Sequence, residues 1–292
     1  MRKIAPNIRR IAAVHDLSGV GRVSLMTVVP VLSTMGFEVC PLPTAILSNH
    51  TQYPSFSFLD LTEELPKIIR EWRKLNLEFE AIYTGYLGSP RQIRIIADFI
   101  DEFRRDDTLV VVDPVLGDNG RLYNKITEEM VTAMRVLAKR ADVLTPNLTE
   151  VFALLGRPYQ HECSDEALKA DIEALSDIGP DTVIITGVPV KDEPKLTAVI
   201  ARSRADGRTW KVTCPYLPAH YPGTGDTFTS VITGSLLQGD SLPIALDRAV
   251  QFILQGIRAT FGYPHDNREG IMLERVLPNL RMPIQSASYE LV

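Results

Sequence analysis

Cysteine is scarce in this sequence. Cys40, Cys163 and Cys214 are the three it has, odd in number and far apart. No Cys-x-x-Cys pair occurs, so neither a disulfide framework nor a zinc knuckle is supported, and buried inert thiols are the plain reading. No apolar run approaches the ~18 residues that span a bilayer. The first ten residues are basic, but only Ile11 to Val14 follows before His15 and Asp16, short of the roughly 7–15 apolar residues of a secretory signal. A cytoplasmic location is therefore expected, and the sequons at Asn49 and Asn147 are chance matches. An excess of basic residues is also missing: 31 Lys and Arg stand against 36 Asp and Glu, a net charge of -5. That balance argues against nucleic acid or an anionic membrane as partner. The histidines show no metal spacing, and no nucleophilic serine elbow is evident.

What is present is the composition of a globular protein, 45% apolar and 23% charged. No repeat, low-complexity tract or linker divides it. One large α/β domain over 1–292 is expected, with 1–10 and 280–292 as terminal extensions. Short apolar runs at Ile11–Val14, Val39–Leu42, Ala45–Leu47, Ala81–Thr84, Leu109–Val112, Val143–Thr145 and Val183–Thr186 read as strands. Amphipathic stretches between them read as helices, near Val23–Met35, Leu61–Lys74 and Thr127–Arg140, and after caps at Ser89, Asn147 and Ser164. At Ser89-Pro90-Arg91-Gln92 the serine caps and Gln92 reaches back to it. Leu196–Ala201 and Thr209–Cys214 form a hairpin around Asp206-Gly207, and helices follow near Thr227–Leu237 and Pro243–Thr260. This alternation implies a mainly parallel sheet with helices on both faces, and ligands at the carboxyl ends of its strands.

Five segments at such positions hold chemistry. In Tyr221-Pro222-Gly223-Thr224-Gly225-Asp226 two glycines precede a helix, so backbone N–H groups and the helix dipole can meet an anion, and Asp226 can act as base for a hydroxyl. The plain alternative is a turn with an acid in the first helical turn. Asp113 directly follows a buried strand, and Pro114 holds it extended; with Asp118 it could handle magnesium and its waters, or both could be solvated loop acids. Asn147 with Glu150 is a capping pattern that can also face the same phosphates. The loop Ser48-Asn49-His50-Thr51-Gln52-Tyr53 suits a small polar heteroaromatic ligand, or is merely polar. His15 to Ser24 superficially matches a dinucleotide fingerprint. Ser24 occupies its third glycine position, and Glu38 precedes its strand, so that reading is set aside.

Together these motifs, with Thr84-Gly85-Tyr86-Leu87-Gly88-Ser89, resemble the pyridoxal kinase family of the ribokinase-like superfamily from about Ile11 to Phe261. The resemblance implies a three-layer sandwich. It implies ATP-dependent phosphorylation of the 5′-hydroxymethyl group of pyridoxal, pyridoxamine or pyridoxine. By analogy Asp226 is the base, and Gly223, Thr224 and Gly225 form the anion hole. Asp16, Thr51 and Gln52 hold the ring. Asp113, Asp118, Glu150, Asn147, Thr186, Gly187, Pro215, Tyr216 and Leu217 border the nucleotide, with Tyr123 over the phosphates and Asp113 and Glu150 toward Mg²⁺. A homodimer and a monovalent cation such as K⁺ are further expectations. Asp16-Leu17-Ser18-Gly19 looks more like the hydroxymethylpyrimidine kinases, so that substrate is the alternative within the class. A non-catalytic vitamin-binding paralogue is the alternative outside it.

Overall fold

The computed structural model describes residues 9–161, 163–282 and 288–292. Residues 1–8, which hold most of the expected N-terminal extension, and 283–287 lie outside the described residues.

The chain opens with β1 (Arg10–Ser18), α1 (Leu25–Thr34), β2 (Glu38–Leu47), β3 (Phe58–Asp60), α2 (Leu65–Lys74), β4 (Ala81–Thr84) and α3 (Pro90–Phe103). The middle contains β5 (Leu109–Val112), a hairpin of β6 (Gly117–Asp118) and β7 (Arg121–Leu122), α4 (Glu128–Ala138), β8 (Val143–Leu144), α5 (Leu148–Leu155) and α6 (Asp165–Ser176). The last third has β9 (Thr182–Pro189), β10 (Leu196–Ser203), β11 (Thr209–Pro215), α7 (Thr224–Leu237), α8 (Leu242–Thr260), α9 (Leu273–Val276) and β12 (Tyr289–Leu291).

One ten-stranded sheet runs in the order β12-β11-β10-β9-β8-β5-β4-β1-β2-β3. The six strands from β9 to β2 are parallel, and the flanking strands at either end are antiparallel. Successive residues of the central strands feed opposite faces. Ala12, Val14, Val110 and Val112 join the core under α2 to α6, whereas Ile11, Ala13 and Val111 join the core under α1, α7, α8 and α9. Burial on both sides explains the unbroken β-branched runs. The result is the expected three-layer sandwich. From β1 the chain moves outward to β2, then crosses back to β4 on the other side of β1. That reversal opens a crevice beyond the carboxyl ends of the strands.

The structure modifies several sequence expectations. Val39–Leu42 and Ala45–Leu47 are one strand, because β3 pairs only with Ala45–Leu47 and Pro41 and Pro43 lie where that side of β2 has no ladder to break. The β1–β2 register slips between His15 and Leu17, a bulge beside the crevice. At the C-terminus, read as an extension from 280, Tyr289–Leu291 pairs with β11. The caps at Ser89, Thr127 and Ser164 form as expected. Gln92, however, does not reach back to Ser89. It is fully buried, accepts from Gly88 N–H at 2.7 Å, and donates to the Thr44 carbonyl and the Thr62 hydroxyl, both at 2.9 Å. It thereby bolts α3 to the loops around β2. Replacing it with leucine strands the Gly88 N–H and the Thr44 carbonyl. Gln92→Leu is expected to cost about 3 kcal/mol in urea unfolding; a loss under about 0.5 kcal/mol, as at an ordinary surface site, counts against the bolt.

Candidate active site

α7 begins at Thr224, three residues earlier than expected, so Asp226 lies in its first turn. The N–H groups of that turn have no acceptor within the helix and point toward the crevice mouth. Gly223 caps the helix at φ 81°. A Cβ there would lie 1.9 Å from the Arg22 carbonyl oxygen, so only glycine lets α7 approach the β1–α1 loop. That approach brings the Ser24 N–H within 2.9 Å of Asp226 Oδ2. The Ser230 hydroxyl donates to the Asp226 backbone carbonyl at 2.6 Å, fixing the turn beneath it. The other carboxylate oxygen, Oδ1, is 3.7 Å from Nδ1 of His15. His15 is fully buried, and neither ring nitrogen has a hydrogen-bond partner. Burial lowers its pKa to about 3, so it stays neutral beside the acid.

Every site residue expected from the sequence lines one cavity of about 880 Å³. Asp16, from the end of β1, is buried there and accepts hydroxyl hydrogen bonds from Ser18 at 3.0 Å and Ser24 at 2.5 Å. Thr51 and Gln52 lie on the same side, with Gln52 Nε2 3.3 Å from His220 Nε2. Within that loop the chemistry divides: Asn49 donates to the Ser55 carbonyl, and the ring of buried His50 lies 2.5 Å from the Arg268 carbonyl oxygen. Those two residues hold the loop, while His50, Thr51 and Gln52 all line the cavity.

Across the cavity, Asp113 follows β5 and accepts from the Thr229 hydroxyl at 3.3 Å. Asn147 and Glu150 make the expected capping box. Glu150 also accepts from the Leu116 N–H at 2.9 Å, and Asn147 donates to the Gly117 carbonyl at 2.8 Å, so the cap anchors the β6–β7 hairpin that carries Asp118. Thr186, Gly187, Pro215, Tyr216 and Leu217 continue the wall. Desolvation is the first cause of three raised carboxyl pKa values. Asp226 and Glu150 are pushed up to about 7, and Asp113 is raised well above its ordinary range with Glu150 and Asp226 adding like charge. Such a cluster calls for cations. Among the described residues no three His, Cys, Asp or Glu side chains converge into a metal cage. The donor set suits an ion held by one or two carboxylates, with water and phosphate oxygens completing its shell.

Sequence reasoning missed several lining residues. Val250, Ile253, Leu254 and Ile257 of α8 form an apolar stripe at helical spacing beside Pro215–Leu217. Lys125 sits 4.3 Å above the Phe58 ring at the cavity rim. Ser24, noticed only as a replaced glycine, touches both Asp16 and Asp226.

A doubly wound sheet with a buried carboxylate at a glycine-opened helix mouth is the arrangement of the ribokinase-like kinases. Comparison narrows the class. The family profile described as phosphomethylpyrimidine kinase matches residues 41–269. The pyridoxine/pyridoxal/pyridoxamine kinase of Bordetella avium is 31% identical over 82% of this chain and 81% of its own. The pyridoxal kinase of Lactobacillus plantarum superposes with a TM-score of 0.86 at 34% identity, covering 94% of this chain and 97% of that one. A Bacteroides thetaiotaomicron protein, provisionally assigned as a phosphomethylpyrimidine kinase and crystallised with pyridoxal, superposes with a TM-score of 0.96 at 71% identity, covering 98% and 100%. The chain belongs to the pyridoxal kinase family.

The raised pKa of Asp226 has a thermodynamic consequence. The folded state binds this proton more tightly than the unfolded state, so its contribution to stability is complete below about 4 and disappears as pH rises through about 7. Asp226→Asn keeps an oxygen for the Ser24 N–H and removes the charge. The variant's stability relative to wild type should therefore grow between pH 4 and 7, by up to about 1.4 kcal/mol per pH unit. A pH-independent difference in Tm would contradict the burial of this charge.

Proposed function

We propose that this protein transfers the terminal phosphoryl group of ATP to the 5′-hydroxymethyl group of a B6 vitamer: pyridoxal, pyridoxamine or pyridoxine. The observation that carries the reading is Asp226 itself. One of its oxygens is held by the Ser24 N–H at 2.9 Å, its pKa is about 7, and the anion-binding turn adjoins it. The Bacteroides thetaiotaomicron protein binds pyridoxal, and a Leishmania donovani pyridoxal kinase 25% identical to this chain binds ADP.

In this reading Asp16, Thr51 and Gln52 hold the ring. Asn147, Thr186, Gly187 and Pro215–Leu217 hold the nucleotide, and Tyr123 covers the phosphates. Asp226 accepts the alcohol proton through its free oxygen. The alcohol oxygen then forms a bond to the γ-phosphorus as the bond to the β–γ bridging oxygen breaks and ADP departs. A base titrating near neutrality suits this step. The backbone N–H groups of Gly223, Thr224 and Gly225 face the charge that develops on the phosphoryl oxygens. Asp113 would hold Mg²⁺, with Asp118 beside it. Both Glu150 oxygens already accept backbone N–H bonds, so this residue would act largely through water. When bound, the ion would neutralise phosphate charge. A monovalent cation such as K⁺ belongs to the same proposal.

A homodimer is also proposed. The register partners Ile46 and Leu59 are exposed on β2 and the edge strand β3, an apolar margin suited to a second copy. No described helix is long and apolar enough to cross a membrane.

Phosphorylation of hydroxymethylpyrimidine is the second reading, favoured by the carboxylate of Asp16 at the ring site. ADP release with pyridoxal, pyridoxamine and hydroxymethylpyrimidine in parallel decides between them, and turnover of the pyrimidine alone overturns the first. Pyridoxal bound without turnover under Mg²⁺ and ATP would mark a non-catalytic paralogue. For the kinase, kcat/KM should fall about tenfold per pH unit below about 7, as Asp226 takes a proton. Asp226→Asn should lower kcat by about 10³-fold with ATP affinity nearly unchanged; normal turnover would remove Asp226 from its role.

A further inference from the structure

Ser24 adopts φ 49° and ψ -134°, a backbone conformation that glycine accepts and serine resists. Such strain costs about 1–3 kcal/mol and persists where the surroundings over-determine it. Ser24 is 7% exposed and makes two contacts inside the cavity. Its N–H donates to Asp226 Oδ2 at 2.9 Å, and its hydroxyl donates to Asp16 Oδ1 at 2.5 Å. The remaining oxygen of Asp16 accepts from the Ser18 hydroxyl at 3.0 Å. Glycine at this position would keep the first contact without strain, because that donor is backbone. The bond to Asp16 is what the strained side chain adds. Hydroxyl bonds to a buried carboxylate are short and directional, and two of them leave Asp16 with one orientation toward the ring.

We propose that Ser24 is a positioning residue: a single peptide unit that holds the ring-binding carboxylate of Asp16 and the base Asp226 at a fixed spacing. The proposal rests on the reading of the site given above. It makes Ser24 a determinant of heteroaromatic recognition, acting through Asp16. A ring that presents an N–H or O–H group meets an acceptor already aimed, and its side-chain alcohol then falls at the oxygen of Asp226 that Ser24 leaves free.

Ser24→Ala and Ser24→Gly keep the N–H and delete the hydroxyl. Each should raise KM for pyridoxal about tenfold, the loss of one charge-assisted hydrogen bond. KM for ATP should be unchanged, and kcat for Ser24→Ala should stay within about twofold, the pattern of lost ground-state binding. Both variants lose the hydroxyl and only glycine relieves the backbone strain, so Ser24→Gly should have a higher Tm than Ser24→Ala, which separates loss of the ring contact from damage to the fold. In an Asp16→Ala background, where the hydroxyl has no acceptor left, the same Ser24→Gly change should alter KM for pyridoxal by less than about threefold, because the two residues act as one. An unchanged KM in the single variants, or an undiminished effect without Asp16, would overturn the proposal. If the wild type turns over hydroxymethylpyrimidine instead, the functional reading changes and the KM split is measured on that substrate. If it turns over neither, that reading fails, and the split is read as the Kd of pyridoxal by equilibrium titration.

Discussion

The approach of Gly223 to the carbonyl of Arg22 governs the rest of the site. A side chain at 223 would overlap that oxygen. Without one, the mouth of α7 rests on the loop between β1 and α1, and a backbone donor from that loop reaches Asp226. The same loop is gripped from a third direction, since the Arg22 N–H donates to the Glu269 carbonyl at 3.0 Å and the Arg22 guanidinium binds Glu274. The carboxylate proposed as the base is therefore held by a backbone donor, not by a mobile side chain. A reacting group held this way needs little reorganisation when the alcohol arrives.

Electrostatics pull against that rigidity. Asp16, Asp113, Glu150 and Asp226 share a cavity whose walls deny them water, and burial drives all four pKa values upward. Hydrogen bonds offset part of this: hydroxyls at Asp16, backbone N–H groups at Glu150, the Ser24 N–H at Asp226. The remaining excess of negative charge would repel a polyphosphate unless cations came with it. The crowding that weakens the empty fold is thus the physical reason for proposing that the nucleotide arrives with a cation. His15 fits the same logic. Gly85 makes the room for its ring, since a Cβ there would lie 2.2 Å from Nδ1, and burial keeps it uncharged. It lines the base without neutralising it.

Much of this was legible in the sequence, and the reason is physical. Strands buried on both faces must be continuous apolar runs, so Leu109–Val112 and Val183–Thr186 declare themselves, and a carboxylate directly after such a run has to lie at the sheet's ligand edge. The Asn147–Glu150 cap is local chemistry with its own spacing. What escaped notice depends on tertiary contact. β3, β6, β7 and β12 are two or three residues long and exist only because a neighbour pairs with them. The prolines of β2 disguise one strand as two. Gln92 carried a capping pattern, yet its amide found partners in Gly88, Thr44 and Thr62. Ser24 stands where a glycine conformation is needed, and a serine there gives no hint of it. The α8 stripe reads as ordinary core until the cavity beside it is seen.

The site draws one wall from residues 16–24 and another from residues 221–226, at opposite ends of the chain. During synthesis the first half of the parallel sheet can form while the helix that brings the base is still on the ribosome. The residues proposed to hold the ring emerge early, whereas the turn that faces the phosphoryl group arrives late, so the enclosed cavity is completed only when α7 has joined the sheet.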